Sequence, residues 1–208
     1  MRPRIVPAQP TVESVQGCLQ KWETLEKYTF QEASLGLLFQ KFCPYNNDII
    51  HVLLKVSALN DFYSTNIFDT HAVAKHIATT KNVDDRIAVG DHSLVNQIAS
   101  VTIGGKTRNF YSFASKYCNH HRPEAFPIYD SYVEKMLLHF QTTDQFSKFS
   151  KDALKQYVRF VEIVMLFRKH YFLEQFTLRQ IDIFLWLAGK DAFGRFNKLP
   201  KKVAEQEP

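Results

Sequence analysis

Ile103-Gly-Gly-Lys-Thr107 and Phe126-Pro-Ile-Tyr-Asp-Ser-Tyr-Val133 flank an aromatic segment, residues 108–119, that contains no acidic side chain. The glycine pair interrupts the surrounding helical pattern, and we predict a helix from about Lys106 to Asn119. Ser131-Tyr-Val-Glu134 has the form of a capping box, which predicts a second helix with Asp130 at or just before its N-cap. Lys106 and Asp130 would then lie at two adjacent helix N-termini.

The rest of the chain shows helical periodicity from Thr11 onward. A long helix is expected from Asp48 to about Tyr63, and it should be central because it is apolar on most sides. Another is expected from about Ser150, and Thr177-Leu-Arg-Gln180 is typical of a capping box that starts the last helix. Strand alternation and internal repeats are not evident. The sequence therefore predicts an all-α fold.

We expect this fold to be a compact multi-helix domain over residues 11–196, with division into two helical lobes left open. A helix-hairpin-helix-like element is predicted around residues 93–119. Residues 1–10 contain three prolines and two arginines and are expected to form a flexible arm, and the polar residues 197–208 a flexible tail.

Composition narrows the class of protein. The chain has 208 residues, of which 45% are hydrophobic and 14% aromatic, so a filled core is expected. The formal charge of +5 is compatible with a polyanionic partner but does not require one. Three cysteines without a Cys-x-x-Cys pair favour a reducing, cytoplasmic setting. The first residues do not resemble a signal peptide, and no apolar run approaches the ~20 residues of a membrane span.

Three segments resemble motifs of the helix-hairpin-helix DNA glycosylase superfamily, which includes endonuclease III and 8-oxoguanine glycosylase. Leu54-Lys-Val-Ser-Ala-Leu-Asn60 is similar to the Leu-Leu-Ser-Ala-Gln that opens a central family helix. Thr102-Ile-Gly-Gly-Lys-Thr-Arg108 resembles the hairpin Gly-Val-Gly-x-Lys-Thr-Ala. Tyr129-Asp-Ser-Tyr-Val133 resembles Val-Asp-Thr-His-Val. The resemblance covers the middle of the chain, where Tyr111–Cys118 is also similar to a run in uncharacterised bacterial proteins.

The resemblance implies the catalytic residues. In bifunctional family members the lysine forms a Schiff base with the sugar carbon, and the aspartate assists base loss. This nominates Lys106 as nucleophile and Asp130 as its partner. A second registration aligns Ile103–Lys106 with an earlier family hairpin and leaves Lys116 as the lysine near the aspartate. Each lysine could equally be an ordinary solvated side chain.

Several residues are candidates for contact with nucleic acid. The amides of Gly104 and Gly105 beside Arg108 could hold a backbone phosphate, as helix-hairpin-helix elements do. His120, His121 and Arg122 could contact phosphate at the end of the helix. Asn60 is the nearest counterpart of the family glutamine that enters the duplex. A basic solvated face explains the same charges without any ligand.

Metal and cofactor chemistry are not predicted. Cys118, His120 and His121 lie close together, but their spacing matches no standard zinc pair. The leading hypothesis is a DNA-binding enzyme of the base-excision glycosylase or lyase type that acts on damaged or modified bases, with DNA favoured over RNA as the partner. The alternative is a non-catalytic helical module that binds nucleic acid or protein.

Overall fold

A computed structural model describes residues 6–194, and it is mainly α-helical, as predicted. The described part contains ten α-helices, one short hairpin, a π-helical turn that continues the second helix (Leu38–Phe42) and a 3-10 helix (Lys151–Lys155). The helices are α1 (Val12–Glu23), α2 (Glu26–Leu37), α3 (Ile49–Tyr63), α4 (Thr70–Thr79), α5 (Val83–Val89), α6 (Ser93–Ala99), α7 (Tyr111–His121), α8 (Ser131–Thr143), α9 (Tyr157–His170) and α10 (Leu178–Phe193). The strands are β1 (Ser100–Ile103) and β2 (Lys106–Asn109).

Polar side chains set the starts of the helices near the site described below. Asp48 caps α3, where its side chain accepts a hydrogen bond from the amide of Ile50. The predicted capping box of α10 is present, with Thr177 and Gln180 bonded reciprocally. At α8 the predicted box does not form.

The start of α8 relies on one residue. Asp130 is its N-cap and accepts from the amide of Tyr132. Glu134 instead accepts from the hydroxyl of Tyr129 and pairs with Lys155 at 2.9 Å. Because Glu134 is engaged elsewhere, the side-chain cap of α8 consists of the single bond from the Tyr132 amide to Asp130.

One hydrophobic core extends from Val15 in α1 to Ala188 in α10. Helix α7 lies at its centre, with every residue from Phe113 to His120 buried. It contacts α2, α3 and α6, while α10 packs on α1 and α8. A second lobe with a core of its own is not seen among the described residues.

The structure corrects the helix-hairpin-helix element that was predicted around residues 93–119. The two helices of this region, α6 and α7, are joined by a β-hairpin. β1 and β2 pair antiparallel, with Ile103 opposite Lys106. Gly104 and Gly105 have φ of +56° and +76°, values that suit a two-residue turn between strands. Helix α7 therefore starts at Tyr111, and Lys106 is an exposed strand residue instead of a helix-start lysine.

Two other predicted segments differ from the structure. The helix expected from about Ser150 is a 3-10 turn followed by α9, and the two are separated at Gln156, whose backbone is extended. In the arm, Pro7 and Pro10 are buried, whereas Val6, Ala8 and Gln9 are exposed, so the arm contacts the rest of the chain through these two prolines. Residues 1–5 and 197–208, the remainder of the predicted arm and the tail, lie outside the described residues.

Candidate active site

A pocket of about 280 Å³ opens between the helices that the core brings together. Its walls come from α1 and α2, the C-terminal end of α3, the middle of α7, the start of α8 and two turns of α10. Lys116 and Asp130 both line this pocket. The structure thus brings together one of the two candidate lysines and the candidate aspartate, although α7 and α8 are joined by a connection of nine residues.

Lys116 lines the pocket with 4% of its surface exposed. Its amine donates to the Ser112 hydroxyl at 2.6 Å and approaches the Tyr129 carbonyl oxygen at 3.4 Å. The amine also lies 5.3 Å from the centre of the Tyr63 ring. Burial lowers the pKa of Lys116 to about 8, against the opposing charges of Asp130 and Asp182. About one tenth of the amines are therefore neutral at pH 7.

Asp130 has two functions that are compatible. One carboxylate oxygen caps α8 through the amide of Tyr132, 2.7 Å away. The side chain also lines the pocket, and its negative charge raises the pKa of Lys116. A carboxylate so placed can stabilise positive charge that develops beside the amine.

Helix α10 contributes a second carboxylate that the sequence analysis did not single out. Asp182 is 2% exposed, and its Oδ2 accepts from the amide of Ile128 at 2.9 Å. Its Oδ1 is buried and has no hydrogen-bond partner. Burial raises the pKa of Asp182 to about 7, while Arg179 and the amide of Ile128 oppose the shift. An unsatisfied buried oxygen is costly, so it indicates a place where a ligand can bind.

Arg179 lies one turn before Asp182 and also lines the pocket. Its Nε donates to Glu32 of α2 at 2.5 Å, and its guanidinium is 5.4 Å from the Trp22 ring. Burial alone would lower the pKa of Arg179, but the hydrogen bond that it donates to Glu32 raises it, so the side chain remains charged. The pocket therefore presents a fixed cation beside an unsatisfied carboxylate.

Aromatic rings form one wall of the pocket. Trp22 and Tyr28 stack with centroids 5.8 Å apart, and Trp186 meets Tyr28 edge-on at 5.1 Å. On the Lys116 side, the hydroxyl of Tyr63 is hydrogen-bonded to Nε2 of His120 at 3.0 Å. Burial, with Arg179 and Lys116 nearby, lowers the pKa of His120 to about 3 and keeps the ring neutral. The wall offers flat apolar surface for a planar ligand.

The hairpin residues do not line this pocket. Lys106 and Arg108 are exposed on β2, and Gly104 and Gly105 form the exposed turn before it. Their side chains and amides remain candidates for contact with a phosphate backbone. Lys106 has no place beside Asp130, because β2 and not α7 carries it.

Asn60 has a structural role in this protein. Its Oδ1 accepts from the Thr65 hydroxyl at 2.7 Å and the Ile67 amide at 2.9 Å, and its Nδ2 donates to the Ile67 carbonyl. These bonds hold the loop between α3 and α4. The amide is therefore engaged within the chain, which differs from the contact with a duplex predicted for it.

His121 and Arg122 are also engaged within the chain. Nε2 of His121 lies 3.3 Å from the amine of the fully buried Lys55. Arg122 pairs with Glu124 at 2.7 Å and donates to the carbonyl of Ala88. Of the three residues predicted to contact phosphate at the helix end, only His120 is linked to the pocket, through Tyr63.

Asp182 had a signal in the sequence that could have identified it. It stands alone in Ile181-Asp-Ile-Phe-Leu-Trp-Leu187, a helical run that is otherwise apolar. A carboxylate in such a run must be buried or must face a cavity. The partners that α1 and α2 supply, Trp22, Tyr28 and Glu32, had no comparable signal, because only tertiary packing brings them to α10.

No group of three or more metal-binding side chains able to hold an ion occurs between residues 6 and 194. Cys118 is buried, and burial raises the pKa of its thiol. Over the same residues, no helix is both long and apolar enough to cross a membrane.

Comparison with known proteins identifies relatives without a stated activity. The family model HI_0787_N, described as an N-terminal domain, matches residues 14–125, a range that includes Lys116 but ends before Asp130 and α10. An uncharacterised protein of Haemophilus influenzae is 50% identical over 142 residues, which is 68% of each chain. No solved structure matches the chain.

Proposed function

The chain belongs to the HI_0787_N family, and we propose that it is a DNA glycosylase with lyase activity that removes a damaged or modified base. The observation that carries the proposal is the buried Lys116 amine, which shares a pocket with the Asp130 carboxylate. A lysine buried with a lowered pKa is suited to nucleophilic attack, because a larger fraction of it is unprotonated. A solvated surface lysine would not have this property.

The proposed reaction uses the two side chains in sequence. A nucleotide is rotated out of the duplex, and its base enters the aromatic-walled pocket. The Lys116 amine attacks the sugar carbon that carries the base, and the bond between sugar and base breaks. Asp130 stabilises the positive charge that develops on the sugar. After the attack the nitrogen carries two protons. One passes to the departing base, and the other passes to the ring oxygen as the sugar ring opens, which leaves a Schiff base between Lys116 and the sugar.

DNA is the proposed partner on the basis of charge. The chain carries a formal charge of +5, and the exposed hairpin presents Lys106 and Arg108 on one strand. Such side chains can neutralise backbone phosphates without reading sequence. In this arrangement Lys106 contacts the DNA backbone, and Lys116 is the nucleophile.

Borohydride trapping on duplex DNA with an abasic site tests the proposal. Borohydride reduces a Schiff base to a stable amine, so the wild-type protein should become covalently attached to the DNA. Lys116→Met should abolish the adduct, because it removes the amine while filling the same buried space. Lys106→Met is the matched control and should retain the adduct, with binding that weakens as salt is raised.

Two results would contradict the proposal. One is an absence of adduct from the wild-type protein together with no base release across a panel of lesions. The other is an unchanged yield of adduct from Lys116→Met, provided that this variant protein melts at the wild-type temperature. Salt-sensitive DNA binding without any product would instead support the non-catalytic module.

A further inference from the structure

The Oδ1 atom of Asp182 is the one buried carboxylate oxygen among the described residues that has no hydrogen-bond partner. Its sister oxygen is fixed by the amide of Ile128, so the carboxyl group cannot rotate freely to satisfy both. The side chain lines the same pocket as Lys116. Because Asp182 lines the pocket, a donor that completes Oδ1 can come from a molecule that occupies the pocket.

Arg179 supplies a hydrogen-bond donor on the same wall of the pocket as the Asp182 acceptor. It lies three residues before Asp182 on α10, so both side chains project from one face of the helix. Its Nε is committed to Glu32, and this bond fixes the plane of the guanidinium. Arginine can only donate, and Asp182 can only accept once it is ionised, above its pKa of about 7. The pair thus offers a donor and an acceptor in fixed positions beside a flat aromatic wall.

We infer that this pocket selects nucleobases with a cyclic amide edge, whose ring N–H donates to Asp182 Oδ1 while the adjacent carbonyl oxygen accepts from Arg179. The inference deepens the proposed function and rests on it. A base with an amino group beside a bare ring nitrogen has the reverse pattern. Such a base would place a donor against Arg179 and an acceptor against Asp182.

Hypoxanthine and adenine are suited to test this selection, because they have the same ring system and differ only at this edge. Binding of each free base can be followed by the fluorescence of Trp22 and Trp186, which are the chain's two tryptophans and both line the pocket. Calorimetry provides an independent measurement. At pH 8, where most of Asp182 is ionised, the wild-type protein should bind hypoxanthine about 10-fold or more tightly than adenine, because adenine leaves both side chains unsatisfied.

Asp182→Asn should abolish this preference. The amide of Ile128 needs an acceptor, so the oxygen of the new side chain should face Ile128 and its NH2 group should face the pocket. The acceptor in the pocket becomes a donor that suits the bare ring nitrogen of adenine, while Arg179 still suits the carbonyl oxygen of hypoxanthine. Each base then has one satisfied and one unsatisfied contact, so the two should bind with similar affinity. Asp191→Asn places the same substitution on an exposed turn of α10 and should leave the wild-type preference intact.

The inference is overturned if the wild-type protein binds the two bases equally or prefers adenine. It is also overturned if fluorescence and calorimetry both detect no binding of either base. It is also overturned if Asp182→Asn keeps the wild-type preference. Trapping on abasic DNA involves no base, so it separates this inference from the proposed function. An adduct without base preference would refute only the inference, whereas base preference without an adduct would refute only the proposed chemistry.

Discussion

At the scale of single residues, Lys116 differs from an exposed lysine in the protonation of its amine. Burial lowers its pKa to about 8, and the Asp130 and Asp182 carboxylates limit that shift. Because the amine loses its proton as the pH rises through this pKa, the rate of adduct formation should increase between pH 6 and pH 9. The increase should be half complete near pH 8, as measured by trapping over a pH series.

The Asp130 carboxylate provides the control for this pH profile. Asp130→Asn keeps a side chain able to cap α8 but removes a negative charge that raises the pKa of Lys116. The midpoint of the profile should therefore move to lower pH, even as the maximal rate falls. A midpoint that stays in place would show that another group governs the titration.

At the scale of elements, the close contact between α8 and α10 positions both carboxylates of the pocket. A Cβ atom added at Gly189 would lie 2.9 Å from the Cβ of Tyr132 and 3.0 Å from its carbonyl oxygen. Gly189→Ala should therefore push α8 from α10 and reduce the free energy of unfolding by about 1–3 kcal/mol, measured by denaturant titration. Adduct formation should also slow, because Asp130 begins α8.

Gly17 in the middle of α1 is the matched control for this substitution. A Cβ atom there would meet nothing within 4 Å, and the residue is exposed. Gly17→Ala should stabilise the protein by about 0.5–1 kcal/mol, because alanine loses less backbone entropy in a helix. If Gly17→Ala and Gly189→Ala had the same free energy of unfolding, close packing of α8 on α10 could not explain the effect of Gly189→Ala.

At the scale of the whole molecule, the buried neutral histidine beside the pocket makes the fold sensitive to acid. The folded pKa of His120 is about 3, below the ordinary value of about 6.5 expected in the unfolded chain. Between these values the unfolded chain binds more protons, so stability falls as the pH falls below 6.5. The loss from His120 should reach about 2 kcal/mol at pH 5.

His120→Gln should reduce the loss of stability between pH 7 and pH 5, measured by denaturant titration. Burial also lowers the pKa of His121, whose contribution remains in both proteins. Asp182, whose pKa burial raises to about 7, acts in the opposite direction in both proteins and cancels in the comparison. His71→Gln, at an exposed position of α4, should leave the profile unchanged. An equal loss in the wild-type protein and His120→Gln would assign the acid sensitivity to other groups.

The sequence by itself determined the helical class and several helix starts. Asp48, Asp130 and Thr177 act through hydrogen bonds to amides two or three residues away, so local sequence was sufficient to locate them. It also placed Lys116 and Asp130 among the candidates for one site. The hairpin was predicted wrongly, because the Gly-Gly pair is compatible with a turn between strands as well as with one between helices.

Only the tertiary structure decided which lysine meets Asp130 and what surrounds the pair. Packing buries α7 on nearly all sides, and this lowers the pKa of Lys116 while Lys106 remains on an exposed strand. Trp22, Glu32 and Tyr63 come from the first three helices, and Asp182 comes from the last helix, more than 100 residues further along the chain. Their meeting depends on how helix surfaces fit together, and this information is distributed over the whole core and is absent from any local motif.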